Sequence, residues 1–146
     1  MPKISLIYID NKIILTNKKG IKNILIFGLS YKSNLKVHIL SPTLQLVKYL
    51  KKKSANVTLF DPLYSKHEVK KIIDVKTINE IITLKNFDAI IMMINHEHFN
   101  KIDLIKLIKN SGLKIILDNS NYFKNKKNLI PNEINYIQTG QAGWLN

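Results

Sequence analysis

The stretch of residues 22–50 constrains the fold of this chain more than any other, because it joins a short apolar run to a well-marked helix start. The apolar run 24–27 is closed by Gly28, which is typical of a buried strand that enters a tight turn. Ser41 followed by Pro42 predicts the start of a helix, since Ser caps free N–H groups and Pro loses no hydrogen bond at the first helical position. The stretch therefore predicts a strand followed by a loop and a helix.

The rest of the chain repeats this alternation of short apolar runs and helical patterns. Further strands are predicted over four apolar runs, at 57–60, 89–94, 113–117 and 134–137. Helices are predicted at 65–71, 77–84 and 102–108. Thr77 and Glu80 have the spacing of a helix-capping pair in the second of these. Buried strands that alternate with helices indicate an α/β fold, in which a parallel sheet is covered by helices on both faces.

A short N-terminal extension precedes this alternation. Apolar residues alternate at Ile4 and Leu6 and resume at 13–15, and the polar pair Asp10-Asn11 between them suits a hairpin turn. We therefore predict two parts, a β extension at 1–20 and an α/β domain at 21–146. The sequence leaves open whether the extension adds an edge strand or mediates self-association into a homo-oligomer.

The charge of the chain is strongly basic, with 23 basic and 10 acidic side chains and a net charge of +13. Such a field favours anionic partners, including nucleotides and nucleic acids. The basic residues are all Lys, however, and Arg, which makes bidentate contacts with bases, is absent from the sequence. We therefore favour a biased background composition over a nucleic-acid footprint, and expect no nucleic-acid partner.

Cysteine is also absent, which excludes disulfides, thiolate metal sites and a cysteine nucleophile from this chain. No apolar run approaches the length of a membrane span, so we expect no membrane partner. The first residues lack the pattern of a signal peptide. These features together favour a cytoplasmic protein.

Polar loops follow four of the predicted strands, at 30–34, 61–62, 95–98 and 118–121. In open parallel sheets, ligands bind beyond the carboxyl ends of the strands. The four loops therefore predict a ligand site at one edge of the sheet, without specifying its chemistry.

Six segments resemble, in order and spacing, the C-terminal domain of the UDP-glucose/GDP-mannose dehydrogenase family. They are ILIFGLSYKSN, SPTLQLVKYL, VTLFDP, AIIMMINHEHF, IILDNSNYF and NYIQTG, and the resemblance extends from Lys22 to about Gly140. Members of the family oxidise nucleotide sugars with NAD. The resemblance implies a Rossmann-like three-layer sandwich with a mainly parallel sheet, which holds the UDP part of the substrate. It also implies that NAD and the catalytic cysteine belong to the preceding part of a complete enzyme, so this chain alone has no cofactor.

The resemblance assigns one pair of substrate-binding residues to this chain. The family's aromatic-Lys pair after the first strand matches Tyr31 and Lys32, where the aromatic ring backs the nucleotide sugar and the Lys reaches it. A Lys ammonium suits an anionic ligand, although a surface Lys beside a packing Tyr is the plainer alternative. Two family Arg residues, one on NAD and one on the substrate, are replaced here by Ile39 and Ser120. We therefore expect weakened substrate affinity.

Two further groups of polar residues are better explained by structural roles. His96, Glu97 and His98 have the alternation of metal ligands on an extended chain, but no third ligand is apparent, so a loop histidine that packs beside Phe99 is favoured. Asp61 ends the second strand, where Rossmann enzymes place an acid on a ribose. Because no G-x-G-x-x-G precedes it, we favour a turn.

Three functions remain as hypotheses. The chain is a free-standing domain that binds a UDP-like ligand without catalysis, or a split subunit whose NAD-binding and catalytic half is a separate polypeptide. The third hypothesis is a basic module that binds nucleic acid or another polyanion, which predicts steeply salt-dependent binding. The sequence does not specify the sugar.

Overall fold

The apolar runs of the sequence form the strands of a single sheet in the computed structural model, which describes residues 20–138. The strands within these residues are β1 Asn23–Phe27, β2 Asn56–Phe60, β3 Lys76–Thr77, β4 Ala89–Met92, β5 Ile115–Asp118 and β6 Asn135–Gln138. Their order is β3-β2-β1-β4-β5-β6, and every neighbouring pair is parallel. The predicted α/β class with a parallel sheet is confirmed, and the strand order is that of a doubly wound Rossmann-like fold.

The helices of the described residues are α1 Pro42–Lys52, α2 Lys66–Ile72 and α3 Leu104–Lys109. Two short 3-10 helices, Glu97–Lys101 and Lys127–Leu129, complete the regular structure. The start of α1 is as predicted, because the Ser41 side chain accepts a hydrogen bond from the Thr43 N–H and Pro42 is the first helical residue.

The central strand β1 separates two apolar cores. Ile24 and Ile26 face the core beneath α1 and α2, whereas Leu25 and Phe27 face the core beneath α3. All four side chains are fully buried, and each contributes about 1.5 to 3 kcal/mol of hydrophobic stabilisation. Helices on both faces of one sheet confirm the three-layer sandwich.

The predicted helix at 77–84 is wrong. Thr77 ends β3, and its hydroxyl donates to the carbonyl of Val75 instead of capping a helix. The following residues form an irregular connection, in which Leu84 is buried, Ile78 is half-buried and Ile82 is 74% exposed. The apolar side chains thus anchor a winding loop against the sheet, and β-branched residues in this run weaken its helix propensity.

The start of one predicted helix moves slightly, and two predictions lie outside the described residues. The predicted helix at 102–108 begins at Leu104, because Asp103 caps it and the preceding residues form the first 3-10 helix. The predicted N-terminal hairpin falls before residue 20 and the C-terminal tail falls after residue 138, beyond the residues that the structure describes.

Candidate functional site

The carboxyl ends of the central strands lie level with one another, which brings the loops that follow them together. Phe27 pairs with both Phe60 and Met92, and Met92 pairs with Asp118. The β1–α1 loop, defined as residues 28–41, leaves the sheet at this edge. Direct hydrogen bonds join it to the loops after β2 and β4, as the sequence predicted from the common direction of the strands.

Asp61, the residue after β2, fixes the start of the β1–α1 loop. Its Oδ2 accepts hydrogen bonds from the backbone N–H groups of Leu29 at 2.8 Å and Ser30 at 3.1 Å. Its Oδ1 accepts from the N–H of Leu63 at 2.9 Å. Asp61 is only 2% exposed, so this carboxylate is fully used inside the protein. The favoured structural role of Asp61 agrees with this geometry.

The protonation of Asp61 is biased by the same contacts. Burial raises the pKa of its carboxyl group, but the hydrogen bonds from His96 and from the N–H groups of Leu63 and Ser30 outweigh burial. The pKa of Asp61 is therefore held below its usual value, and the carboxylate is ionised at neutral pH.

His96 lies beneath the β1–α1 loop and is fully buried. Its Nε2 is 3.1 Å from Oδ2 of Asp61, and its Nδ1 accepts from the backbone N–H of Asn34 at 2.8 Å. Its ring packs against Phe99, with 5.4 Å between ring centroids. No group of three metal-ligating side chains occurs in residues 20–138.

Tyr31 and Lys32 lie on the β1–α1 loop, and Tyr31 lines a small cavity of about 120 Å³. Ser30, Tyr31, Thr43 and Asn119 line this cavity together with three apolar residues. Tyr31 is 47% exposed and Lys32 is also exposed, so both side chains are available to a ligand at the rim. The structure thus places the two predicted site residues at the carboxyl edge.

The outer part of the β1–α1 loop is apolar and is tied to α2. Leu35, Val37, Ile39 and Leu40 are all more than two-fifths exposed. Lys36, between them, pairs with the carboxylate of Glu68. This ion pair and the Glu68 contact with the Ser65 N–H lower the pKa of Glu68 to about 2.

The two positions where the family has Arg cannot supply a cation here. Ile39 is 68% exposed and carries no charge. Ser120 is engaged in its own turn, because its hydroxyl donates to Oδ1 of Asp118 at 2.7 Å and accepts from the Tyr122 N–H at 3.2 Å. Neither position therefore offers a positive charge to an anionic ligand.

The loop after β1 does not fit a dinucleotide cofactor. Gly28 has φ +109°, and a β-carbon there would lie 2.8 Å from the β-carbon of Ile94. The lack of a side chain at Gly28 therefore makes room for Ile94. Asp61, the residue that would bind a ribose in a Rossmann dinucleotide site, is already saturated by protein hydrogen bonds.

A larger open groove of about 870 Å³ lies at the opposite edge of the sheet, where Asn23 and Asn56 begin their strands. Lys51, Asp74 and Lys76 also line it. Size alone favours this groove, but ligands of parallel α/β sheets bind at the carboxyl ends of the strands. We therefore assign the candidate site to the smaller cavity at Tyr31.

Comparison with known proteins agrees with the fold. The model of the UDP-glucose/GDP-mannose dehydrogenase family, UDP binding domain, matches residues 25–125. The chain therefore belongs to this family, and it is similar to the UDP-binding domain of the UDP-sugar dehydrogenases. No curated protein sequence matches it.

Two solved enzymes have the same fold. UDP-D-ManNAc dehydrogenase from Pyrococcus horikoshii is 20% identical with a TM-score of 0.62, over 98% of this chain and 31% of that enzyme. UDP-N-acetyl-mannosamine dehydrogenase from Staphylococcus aureus is 17% identical with a TM-score of 0.63, over 92% of this chain and 30% of that enzyme. The chain thus spans less than one third of the length of these enzymes.

Sequence reasoning missed the contacts that hold the candidate site in shape. Asn34 has φ +64°, and its side-chain Oδ1 accepts from the Glu97 N–H at 2.7 Å. Its role was not apparent, because the two partners are separated by 63 residues. A polar residue prone to positive φ in a loop after a buried strand was the only local signal.

Proposed function

We propose that this chain binds the UDP part of a nucleotide sugar at the carboxyl edge of its sheet, through Tyr31 and Lys32. The observation that carries the proposal is the exposed Tyr31-Lys32 pair at the end of the central strand, in a chain that belongs to a UDP-binding domain family. The Lys32 ammonium pairs with the diphosphate, and the Tyr31 ring packs against the nucleotide sugar. The missing cation at Ser120, where the family has an Arg on the substrate, makes this binding weaker than in an enzyme that retains that Arg.

The proposed role is binding and not catalysis by this chain alone. The sequence contains no cysteine to act as a nucleophile, and the loop after β1 does not fit NAD. We propose that NAD and the nucleophile, where oxidation occurs, are supplied in the cytoplasm by a part of the enzyme outside this sequence. No helix within residues 20–138 is long and apolar enough to cross a membrane.

A calorimetric titration with UDP tests the binding proposal, with ADP and inorganic pyrophosphate as controls. We expect UDP to bind more tightly than either control, and to retain that preference when salt rises from about 50 to about 300 mM. Equal binding of the three anions that disappears with salt would contradict a UDP site. It would indicate that the net charge of +13 attracts any polyanion.

The proposal that this chain does not catalyse the oxidation alone has its own test. Purified chain mixed with NAD and a UDP-sugar should show no NADH absorbance. Turnover by the pure chain would contradict the proposal, and activity that appears only when a cysteine-containing, NAD-binding partner is added would support it.

A further inference from the structure

The segment that carries Tyr31 and Lys32 is fixed at both of its ends. At one end the N–H of Ser30 donates to Asp61, and at the other the N–H of Asn34 donates to Nδ1 of His96. Tyr31, Lys32 and Ser33 lie between these two anchors. A span of three residues with both ends fixed has little conformational freedom, so the anchors restrict where the two site residues can point.

The hydrogen-bond partners of His96 determine its protonation state. A backbone N–H can only donate, so Nδ1, which accepts from Asn34, carries a lone pair and no proton. The imidazole is therefore neutral, its proton is on Nε2, and this proton faces Oδ2 of Asp61 at 3.1 Å. Since the Asp61 carboxylate is itself held by Leu29 and Ser30, it orients the ring with its lone pair toward Asn34.

We propose that His96 is a positioning residue for the nucleotide site, and that its neutral Nε2–H form holds Tyr31 and Lys32 in their binding orientation through the Asn34 N–H. The inference rests on the proposed function of these two residues. His96 is fully buried, so it acts through Asn34 and does not touch the ligand. Loss of the Asn34 N–H contact removes one of the two backbone anchors that flank Tyr31 and Lys32, and ligand binding must then order these residues at a cost in affinity.

Two substitutions of His96 distinguish the hydrogen bond made by Nδ1 from the hydrogen bond made by Nε2. His96→Asn keeps an acceptor near the position of Nδ1 and loses the donor to Asp61, whereas His96→Gln keeps a donor near Nε2 and loses the acceptor for Asn34. We expect His96→Gln to weaken UDP binding about tenfold and His96→Asn to weaken it less than about threefold. Asn34→Gly is a further control, because it keeps the backbone N–H and tolerates φ +64° while removing the side-chain contact with Glu97.

Two measurements without ligand test the geometry itself. The imidazole nitrogen resonances of the wild-type chain should show a protonated Nε2 and an unprotonated Nδ1 at about pH 7.5. Hydrogen exchange of the Asn34 amide should be slow in the wild type and in His96→Asn, and at least tenfold faster in His96→Gln. Both variants should show cooperative urea unfolding, which separates release of the loop from loss of the fold.

The outcomes distinguish this inference from the proposed function. A protonated Nδ1, or rapid exchange of the wild-type Asn34 amide, overturns the role of His96 whether or not UDP binds. The role of His96 is also overturned if the His96→Gln chain shows fast exchange of the Asn34 amide and still binds UDP with wild-type affinity. A wild-type chain that has the expected nitrogen resonances but does not bind UDP overturns the proposed function, and the contact between His96 and Asn34 is then purely structural.

Discussion

Gly28 and Ile94 lie so close together that a β-carbon on Gly28 would be 2.8 Å from the β-carbon of Ile94 and 3.0 Å from its backbone nitrogen. Gly28 also adopts φ +109°, which L side chains rarely adopt. The turn between β1 and the β1–α1 loop therefore requires glycine on two independent grounds.

We predict that Gly28→Ala destabilises the fold by about 3 kcal/mol, from backbone strain and overpacking together. Urea unfolding followed by circular dichroism measures this change. Gly112→Ala is the matched control, because its φ is ordinary and no atom lies within 4 Å of its β-carbon position. This control should change stability by less than about 0.5 kcal/mol, and equal losses in the two variants would contradict the prediction.

Asp61 should be among the most sensitive polar residues of the chain. Asp61→Ala removes the acceptor of two buried backbone N–H groups, of the half-buried Leu63 N–H and of His96, so we predict a loss of about 3 to 5 kcal/mol in unfolding free energy. Asp74→Ala removes only an exposed ion pair with Lys51 and should cost less than about 1 kcal/mol. Similar urea midpoints for the two variants would show that the Asp61 network is not stabilising.

The lowered pKa of Asp61 also predicts an acid dependence of stability. Because the folded-state pKa lies below the usual 3.8, the unfolded chain binds the proton first as the pH falls. The Asp61 contribution is therefore complete above about pH 4 and is lost progressively below it, through the folded-state pKa. In Asp61→Asn the unfolding free energy should fall less steeply between about pH 4 and pH 2, and an unchanged slope would contradict the assignment.

The ion pair between Lys36 and Glu68 should affect ionisation more than stability. We predict that Lys36→Met raises the pKa of Glu68 from about 2 toward the usual 4.5, as measured by carboxyl-carbon NMR. The shift should be incomplete, because the Ser65 N–H still donates to the Glu68 carboxylate. Both side chains are partly solvent-exposed, so the urea midpoint should hardly change. A Glu68 pKa that stays near 2 in the variant would show that Lys36 is not its partner.

Lys32 should supply charge-specific affinity at the candidate site. We predict that Lys32→Ala weakens UDP binding about tenfold, because one charge-assisted contact with the diphosphate is lost. Lys52→Ala removes the same charge from the exposed end of α1 and should leave the affinity within about twofold. Equal weakening by the two substitutions would indicate attraction by net charge alone.

The fold was largely predictable because buried parallel strands are continuous apolar runs with clear ends. The runs ending at Phe27 and Phe60 are closed by Gly28 and Asp61, and the helix start at Ser41 has a strong local signal. The prediction of a helix at 77–84 was wrong although its apolar residues have helical spacing. In the structure these side chains do not form one buried helical face, because Leu84 is buried whereas Ile82 is exposed.

The position of the candidate site was predictable from the sequence, but the hydrogen bonds that hold its loop were not. Parallel strands require the polar loops to meet at one edge of the sheet, so the sequence alone predicts that Tyr31 and Lys32 lie at this edge. The side chain of His96 makes the contacts that shape their loop. Its two partners are Asp61, which is 35 positions away in the sequence, and Asn34, which is 62 positions away. No local pattern specifies such pairs, because they depend on the register of β1 against β2 and β4.

Backbone amide shifts measured by NMR during a titration with UDP test the central claim most directly, because they report both binding and its location. The proposed site predicts saturable shifts concentrated in the β1–α1 loop around Tyr31 and Lys32 and in the neighbouring loops at Ile94 and Asn119. Shifts scattered over the exposed lysines, or concentrated in the groove at the opposite edge, would contradict a UDP site at the carboxyl edge of the sheet.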